Sequence, residues 1–211
     1  MDANTWNERY AEHDLVWGAA PNRWVEQETS QLPPGRAIDL ACGEGRNAIW
    51  LAARGWRVQG VDFSETGLAR AAKLAEQHRQ ESGEPLEVTW AVADVTTLEL
   101  PEDAFDLVLV CYLHLVEPQR RGVMQSAAGG LAPGGTLLVI GHDSSNLKEG
   151  YGGPQDASVL FTAEDVERDL ATPLDAGRLV VDRSERVARE VQTEEGRRTA
   201  WDVLFRAHRA G

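Results

Sequence analysis

The chain has 211 residues, with 34 Asp or Glu against 21 Lys or Arg, for a formal net charge of −13. Its hydrophobic fraction of 42% is enough to build a core, and the length suits one domain. So acidic a chain lacks the basic surface that neutralises phosphates, which argues against a nucleic-acid partner, and it has little to offer an anionic membrane surface.

The two cysteines, Cys42 and Cys111, form no CxxC pair, and the histidines make no HxxxH pattern, so no metal site is expected. The first residues, "MDANTWNERYAEHD", lack the basic start and apolar core of a signal peptide. No apolar run is long enough to span a bilayer. The expectation is a cytoplasmic protein with reduced thiols and no membrane partner.

In chain order, "TWNERYAEHDLVWGAAPNRWV" predicts a helix on which Trp6 and Tyr10 share a face at i, i+4, with Arg9 beside them and Trp17 and Trp24 following. Such a stripe serves either packing or a lid over a site. "QLPPGR" breaks the chain, so residues 1–35 read as a helical lid segment and 36–211 as the main domain. "RAIDLA" then predicts a strand, "RNAIWLAARG" a helix ending at Gly55, and "WRVQGVDF" a second strand. "SETGLARAAKLAEQHRQESG" predicts a long helix capped by Ser64. Strands follow at "LEVTWAVAD" and "FDLVLVCY", then a helix at "EPQRRGVMQSAAGGL", a turn at "APGG" and a fifth strand at "TLLVIGHD".

Continuous apolar runs separated by helices indicate a parallel sheet covered on both faces, so the fold class is α/β, doubly wound. The Gly- and Ser-rich stretch 144–161 reads as a loop, and "TAEDVERDL" as a helix with a Thr162/Asp165 capping box. "RLVVDRSERVARE" and "RRTAWDVLFRAHR" close the chain as a hairpin that adds an antiparallel strand. In the latter run, Thr199, Trp201, Val203, Phe205 and Ala207 share one face.

The loop "DLACGEGRNA" raises the question of its ligand. It has no Lys followed by Ser or Thr after Gly45, so it is not a Walker phosphate loop. Arg46 stands where a dinucleotide fingerprint needs its third glycine, which disfavours an NAD-dependent reductase. What remains is a carboxylate, Asp39, ahead of the small residues Ala41, Gly43 and Gly45. Asp39 suits a cationic ligand better than a pyrophosphate, although an Asp at this place also serves turns. Asp62 lies at the second strand's end, about 20 positions beyond the loop, where ribose hydroxyls are read. Asp94 ends the third strand, where it could accept from an adenine amino group. Each is also compatible, as the lesser alternative, with a solvated strand end.

The ordered set "AIDLACGEGR", "GVDFS", "AVADV", "FDLVLV" and "LAPGGTLLVIG" resembles the motifs of class I S-adenosylmethionine-dependent methyltransferases, from about Arg36 to the C-terminal hairpin. The resemblance implies a Rossmann-like seven-stranded sheet with a terminal antiparallel hairpin strand. It implies S-adenosyl-L-methionine as cofactor and S-adenosyl-L-homocysteine as product. It places Asp39, Ala41, Gly43 and Gly45, with Arg46 after them, around the methionine part, Asp62 on the ribose, and Phe63 beside the adenine. Asp94 and Val95 resemble the adenine-reading pair, and Cys111 the lining of the methyl-donor pocket. Ala41 departs from the glycine of many members. The N-terminal Trp6, Arg9, Tyr10 and Trp17 resemble the aromatic element of the tellurite-resistance and thiopurine branches, where the rings would cover the sulfonium and Arg9 would meet the cofactor carboxylate.

For the acceptor, "CYLHL" stands where DNA and protein-glutamine enzymes carry Asn-Pro-Pro-Tyr or Asp-Pro-Pro-Tyr, which favours a small-molecule nucleophile. His114 and His142, at strand ends, and Tyr151, in the glycine-rich loop, are the candidate catalytic residues. Cys111 reads as a small buried residue rather than a nucleophile. The alternative is a protein that binds the cofactor without chemistry.

Overall fold

The computed structural model describes residues 3–12 and 20–211. Its sheet is built from β1 (Arg36–Leu40), β2 (Arg57–Asp62), β3 (Val88–Val92), β4 (Phe105–Cys111), β5 (Leu131–His142), β6 (Leu179–Thr193) and β7 (Gly196–Arg209), in the order β3-β2-β1-β4-β5-β7-β6. Only β7 opposes the common strand direction, between β5 and β6. The chain leaves β1 for β2 on one side and later returns to β4 on the other. The strand order therefore reverses at β1, and open α/β sheets bind ligands outside the strand ends at such a point.

Helices α1 (Ala3–Glu12) and α2 (Arg23–Thr29) precede the sheet. Helices α3 (Arg46–Ala52), α4 (Glu65–Ser82) and α5 (Glu117–Gly129) connect its strands, and α6 (Asn146–Glu149), α7 (Ala163–Asp169) and α8 (Ala171–Asp175) lie between β5 and β6. Two apolar cores form on opposite faces. Val123, Met124 and Ala127 of α5 and Val166 of α7 pack on Val108, Val110, Val139 and Phe205. On the other face Trp24, Val25, Ala48 and Leu51 pack on Leu107, Leu109, Ile140 and Leu204. Alternate residues of β4 thus enter different cores, which is why its sequence is apolar without alternation.

The expected caps are present. The Ser64 hydroxyl accepts from the Gly67 amide, and Thr162 and Asp165 form a reciprocal box at the start of α7. Three differences from the sequence reading have local causes. The "APGG" segment is no free turn. β5 begins at Leu131, and the register jumps from Phe105↔Leu131 to Leu107↔Thr136, so the extra residues bulge out of one continuous strand. Residues 144–161 contain α6 and a 3-10 turn at Ala157–Val159 rather than loop alone. Finally, β7 is buried on both faces, with Val203, Leu204 and Phe205 all at 0% exposure, because Val203 and Phe205 enter one core and Leu204 the other.

Candidate functional site

The C-terminal ends of β1, β2, β4 and β5 open into a cavity of about 920 Å³. Ala41, Gly43, Arg46, Asp62, Phe63, Cys111, His114 and His142 all border it, as do Trp6 and Tyr10 of α1. The fold thus gathers most of the residues singled out by sequence, although they come from five separate segments.

Asp62 is buried in the wall. Its Oδ2 accepts from the Gly43 amide at 2.8 Å and its Oδ1 from the Ser64 amide at 2.8 Å. Burial pushes its pKa up, and these backbone donors pull it back. Each carboxylate oxygen keeps room for a further donor. Asp39 is not part of the wall. It is 1% exposed at the root of the loop, and neither oxygen meets a hydrogen-bond partner in good geometry. Burial and the neighbouring Asp62 charge push its pKa up to about 7, with Arg46 and the Ala48 backbone pulling weakly the other way.

The loop's small residues have distinct reasons. A Cβ on Gly43 would come 2.5 Å from the Tyr10 hydroxyl, and one on Gly45 would come 2.4 Å from the Trp90 ring. Gly45 therefore serves packing under Trp90, and it does not border the cavity as the motif resemblance implied. Ala41 has φ 59°, the left-handed conformation in which a side chain is strained. Ala41→Gly is expected to leave the fold intact and to change stability by no more than about 1 kcal/mol, in the stabilising direction, in a urea titration.

Asp94 and Val95 are not brought to the cavity. Asp94 is exposed, and its Oδ1 accepts from the Thr96 amide at 2.9 Å and the Thr96 hydroxyl at 2.7 Å, closing its own turn. Val95 is buried in the core beside α5. Tyr151 is 48% exposed and stands outside the wall. Cys111 does border the cavity, but burial pushes its thiol up to about 12, so it is apolar lining rather than a nucleophile.

Helix α1 is tied down beside the site. Trp6 and Tyr10 pack with their rings tilted 32° and centroids 5.5 Å apart, and Asn7 Oδ1 accepts from the Ser64 hydroxyl at 2.6 Å. Trp17 and the side chain of Arg9 lie outside the described residues.

The acceptor end of the cavity centres on the two histidines. Their rings stack, with centroids 5.3 Å apart and planes 16° apart. His114 Nε2 accepts from the His142 backbone amide at 3.0 Å, so its basic nitrogen is already used. Burial, then the neighbouring His142, lowers its pKa to about 4. His114 is thus a neutral buttress and no longer a candidate base. His142 is different. Its Nδ1 lies 3.4 Å from Oδ1 of Asp202, and its ring borders the cavity. A Cβ on Gly153 would come 2.8 Å from that ring, so the glycine-rich loop closes directly against it.

Asp202 escaped the sequence reading. It is fully buried, and its Oδ2 accepts from Arg189 Nε at 2.7 Å, the Tyr112 hydroxyl at 2.9 Å and Trp24 Nε1 at 3.1 Å. Burial alone would raise its pKa, but the nearby His142 ring and the Arg189 and Tyr112 hydrogen bonds outweigh it and bring the value down to about 2. The available signal was a carboxylate inside the apolar run "AWDVLF".

A methyltransferase domain model matches residues 37–135. The chain is 30% identical over 143 residues to the putative methyltransferase YqeM of Bacillus subtilis (strain 168), covering 65% of this chain and 55% of that one. It is 30% identical over 138 residues to a ubiquinone biosynthesis O-methyltransferase of Pseudomonas entomophila (strain L48), covering 64% and 57%. The chain therefore spans about half the length of the curated relatives it matches. The solved N-methyltransferase NodS from Bradyrhizobium japonicum WM9, in complex with S-adenosyl-L-homocysteine, superposes with a TM-score of 0.68 at 19% identity, covering 100% of both chains. The chain is thus similar in sequence to methyltransferases across β1 to β5, and it shares the fold of the solved N-methyltransferase over its whole length.

Proposed function

We propose that this protein transfers a methyl group from S-adenosyl-L-methionine to a small-molecule nucleophile. The observation that carries the reading is the pair of buried carboxylates around one loop: Asp62 in the cavity wall and Asp39 with neither oxygen in a well-formed hydrogen bond. A cationic ligand with a ribose diol fits both. The ligand's positive charge would offset the Asp39 carboxylate, and the diol would donate to the unfilled positions on Asp62. The cavity volume of about 920 Å³ also leaves space for an acceptor beside a nucleoside.

When bound, the cofactor supplies an electrophilic methyl group on a sulfonium. The chain's own residues would bind, orient and exclude water. Ala41, Gly43 and Arg46 would hold the amino-acid end, Phe63 would flank the base, and Trp6 and Tyr10 would cover the centre. Holding two reactants in line can contribute about 7–11 kcal/mol. The net charge of −13 supports a small-molecule acceptor over nucleic acid, and the similarity to a ubiquinone biosynthesis O-methyltransferase is compatible with an oxygen acceptor.

Isothermal titration with S-adenosyl-L-homocysteine tests the cofactor assignment. Native protein should bind it, and Asp62→Ala should bind at least about 10-fold more weakly, as loss of hydrogen bonds to a charged group requires. Equal affinity for the two proteins would remove the ribose assignment. Binding without methyl transfer to any of a panel of phenols, alcohols, thiols and amines would favour a non-catalytic cofactor-binding protein.

A further inference from the structure

We infer that Asp202 is a positioning residue that holds His142 as the proton acceptor for a hydroxyl substrate carried on an apolar body. This rests on the methyl-transfer reading above and names the acceptor class for that same site.

The sheet register makes the pair. His142 ends β5 and Asp202 lies directly across from it on antiparallel β7. Arg189 sits on β6 two positions from the residue paired with Asp202, so it reaches the same carboxylate diagonally. The two oxygens of Asp202 are not equivalent. Oδ2 is filled by Arg189, Tyr112 and Trp24, whereas Oδ1 receives only a long contact from Arg189 Nη2 at 3.4 Å. Oδ1 is the oxygen that faces His142 Nδ1. The 3.4 Å separation is long for a hydrogen bond, as such pairs commonly are before substrate binds.

An Nδ1–H directed at Oδ1 leaves Nε2 with a lone pair. The groups facing the ring are Asp202 from β7 and Tyr112 and His114 after β4, with Arg189 from β6 held on the same Asp202 carboxylate. Arg189 and Tyr112 both spend donors on Asp202, and His114 is neutral, so Asp202 is the group left to orient and stabilise an imidazolium. In the step itself, the acceptor O–H bond breaks and its proton moves to Nε2. The electron pair stays on oxygen, which becomes the nucleophile, and the imidazolium later releases the proton to water. A thiol would not need this base, because part of it is already ionised near neutral pH. A hydroxyl does. The lining around His142, with Tyr112, Leu113, Leu115 and Val159, suits an apolar ring or chain behind that hydroxyl.

The test is long-range 1H–15N NMR of the histidine rings in uniformly 15N-labelled protein, with His142→Gln used to assign the signal. At a pH where the ring is neutral, His142 should carry its proton on Nδ1 and be bare at Nε2. Asp202→Asn should redistribute the tautomer, because the carboxylate oxygen that accepts from Nδ1–H is replaced by an amide that can also donate. A native His142 protonated at Nε2 would overturn the proposal, even if Asp202→Asn does not fold. So would an Asp202→Asn protein with an unchanged tautomer. Titration of the same samples with S-adenosyl-L-homocysteine separates the two readings. An intact Nδ1–H tautomer without cofactor binding defeats the methyl-transfer reading and leaves the pair standing. Binding with the wrong tautomer does the reverse.

Discussion

Asp39→Asn is expected to make the ligand-free protein more stable above pH 7 while weakening its grip on S-adenosyl-L-homocysteine. The carboxyl is buried without a good partner, and its pKa is pushed up to about 7 from an ordinary value of 3.8. The folded protein therefore holds this proton more tightly than the unfolded chain does. Stability is greatest below about pH 4 with respect to this group and falls as pH rises towards 7, where the charge must be carried inside the fold. The gap corresponds to at most about 4 kcal/mol at pH 8, since each unit is worth 1.36 kcal/mol. Asn removes the charge but remains a buried polar group, so a net gain of about 1–3 kcal/mol at pH 8 is expected, with little change at pH 4. Binding should move the other way. Asp39 acts on the ligand's ammonium group across the loop rather than by contact, and losing that opposite charge is worth about 1–2 kcal/mol, or roughly 10-fold in affinity. Urea titrations at pH 4 and pH 8, with calorimetric binding at pH 8, check both arms. A variant that keeps the native pH slope and the native affinity would show that Asp39 is neither strained nor ligand-directed.

The opposite signs follow from one cause. A site built for a cation must hold its anion ready before the cation arrives, and a buried carboxylate with no well-formed hydrogen bond is costly to the empty fold. That same separation explains what the sequence discloses. Asp39, Ala41, Gly43 and Asp62 are legible because their spacing is local to a strand, a turn and the next strand, and the fold does bring all but Asp39 to the cavity wall. Gly45 is legible as a required glycine, but its reason lies in Trp90, a packing partner on another strand. Asp94 shares the strand-end pattern yet spends its carboxylate on Thr96, a competition that spacing does not reveal. Asp202 is hidden for a further reason. Alternation along β7 assigns it to the face opposite Val203 and Phe205, which reads as solvated until Trp24 of α2 is seen to cover that face and β5 to place His142 beside it.

Removal of one charge from the buried Arg120–Asp169 pair is expected to cost more stability than any other change considered. Arg120 Nε lies 2.6 Å from Asp169 Oδ2, and their side chains are 6% and 1% exposed. The pair joins α5 to α7, and the Arg120 guanidinium also lies over the Phe161 ring, 5.4 Å from its centroid. Phe161 in turn anchors the end of the segment that closes on His142: its carbonyl accepts from the Ser144 amide at 3.1 Å, and its ring stands 6.0 Å from that of His114. Arg120→Met leaves Asp169 charged, buried and served only by the more distant Arg121, 3.5 Å away, so a loss of about 3–5 kcal/mol is expected in a urea titration. The double variant Arg120→Met, Asp169→Leu should recover most of that loss, because two apolar side chains incur no charge desolvation. Hydrogen exchange in the single variant should rise first across residues 144–161, where the closing segment depends on Phe161, and much less in β1 and β2. A double variant as unstable as the single one would mean that the pair contributes through its own attraction rather than by cancelling a buried charge. Uniform exchange across the sheet would separate the pair's contribution to stability from the closure of the acceptor end.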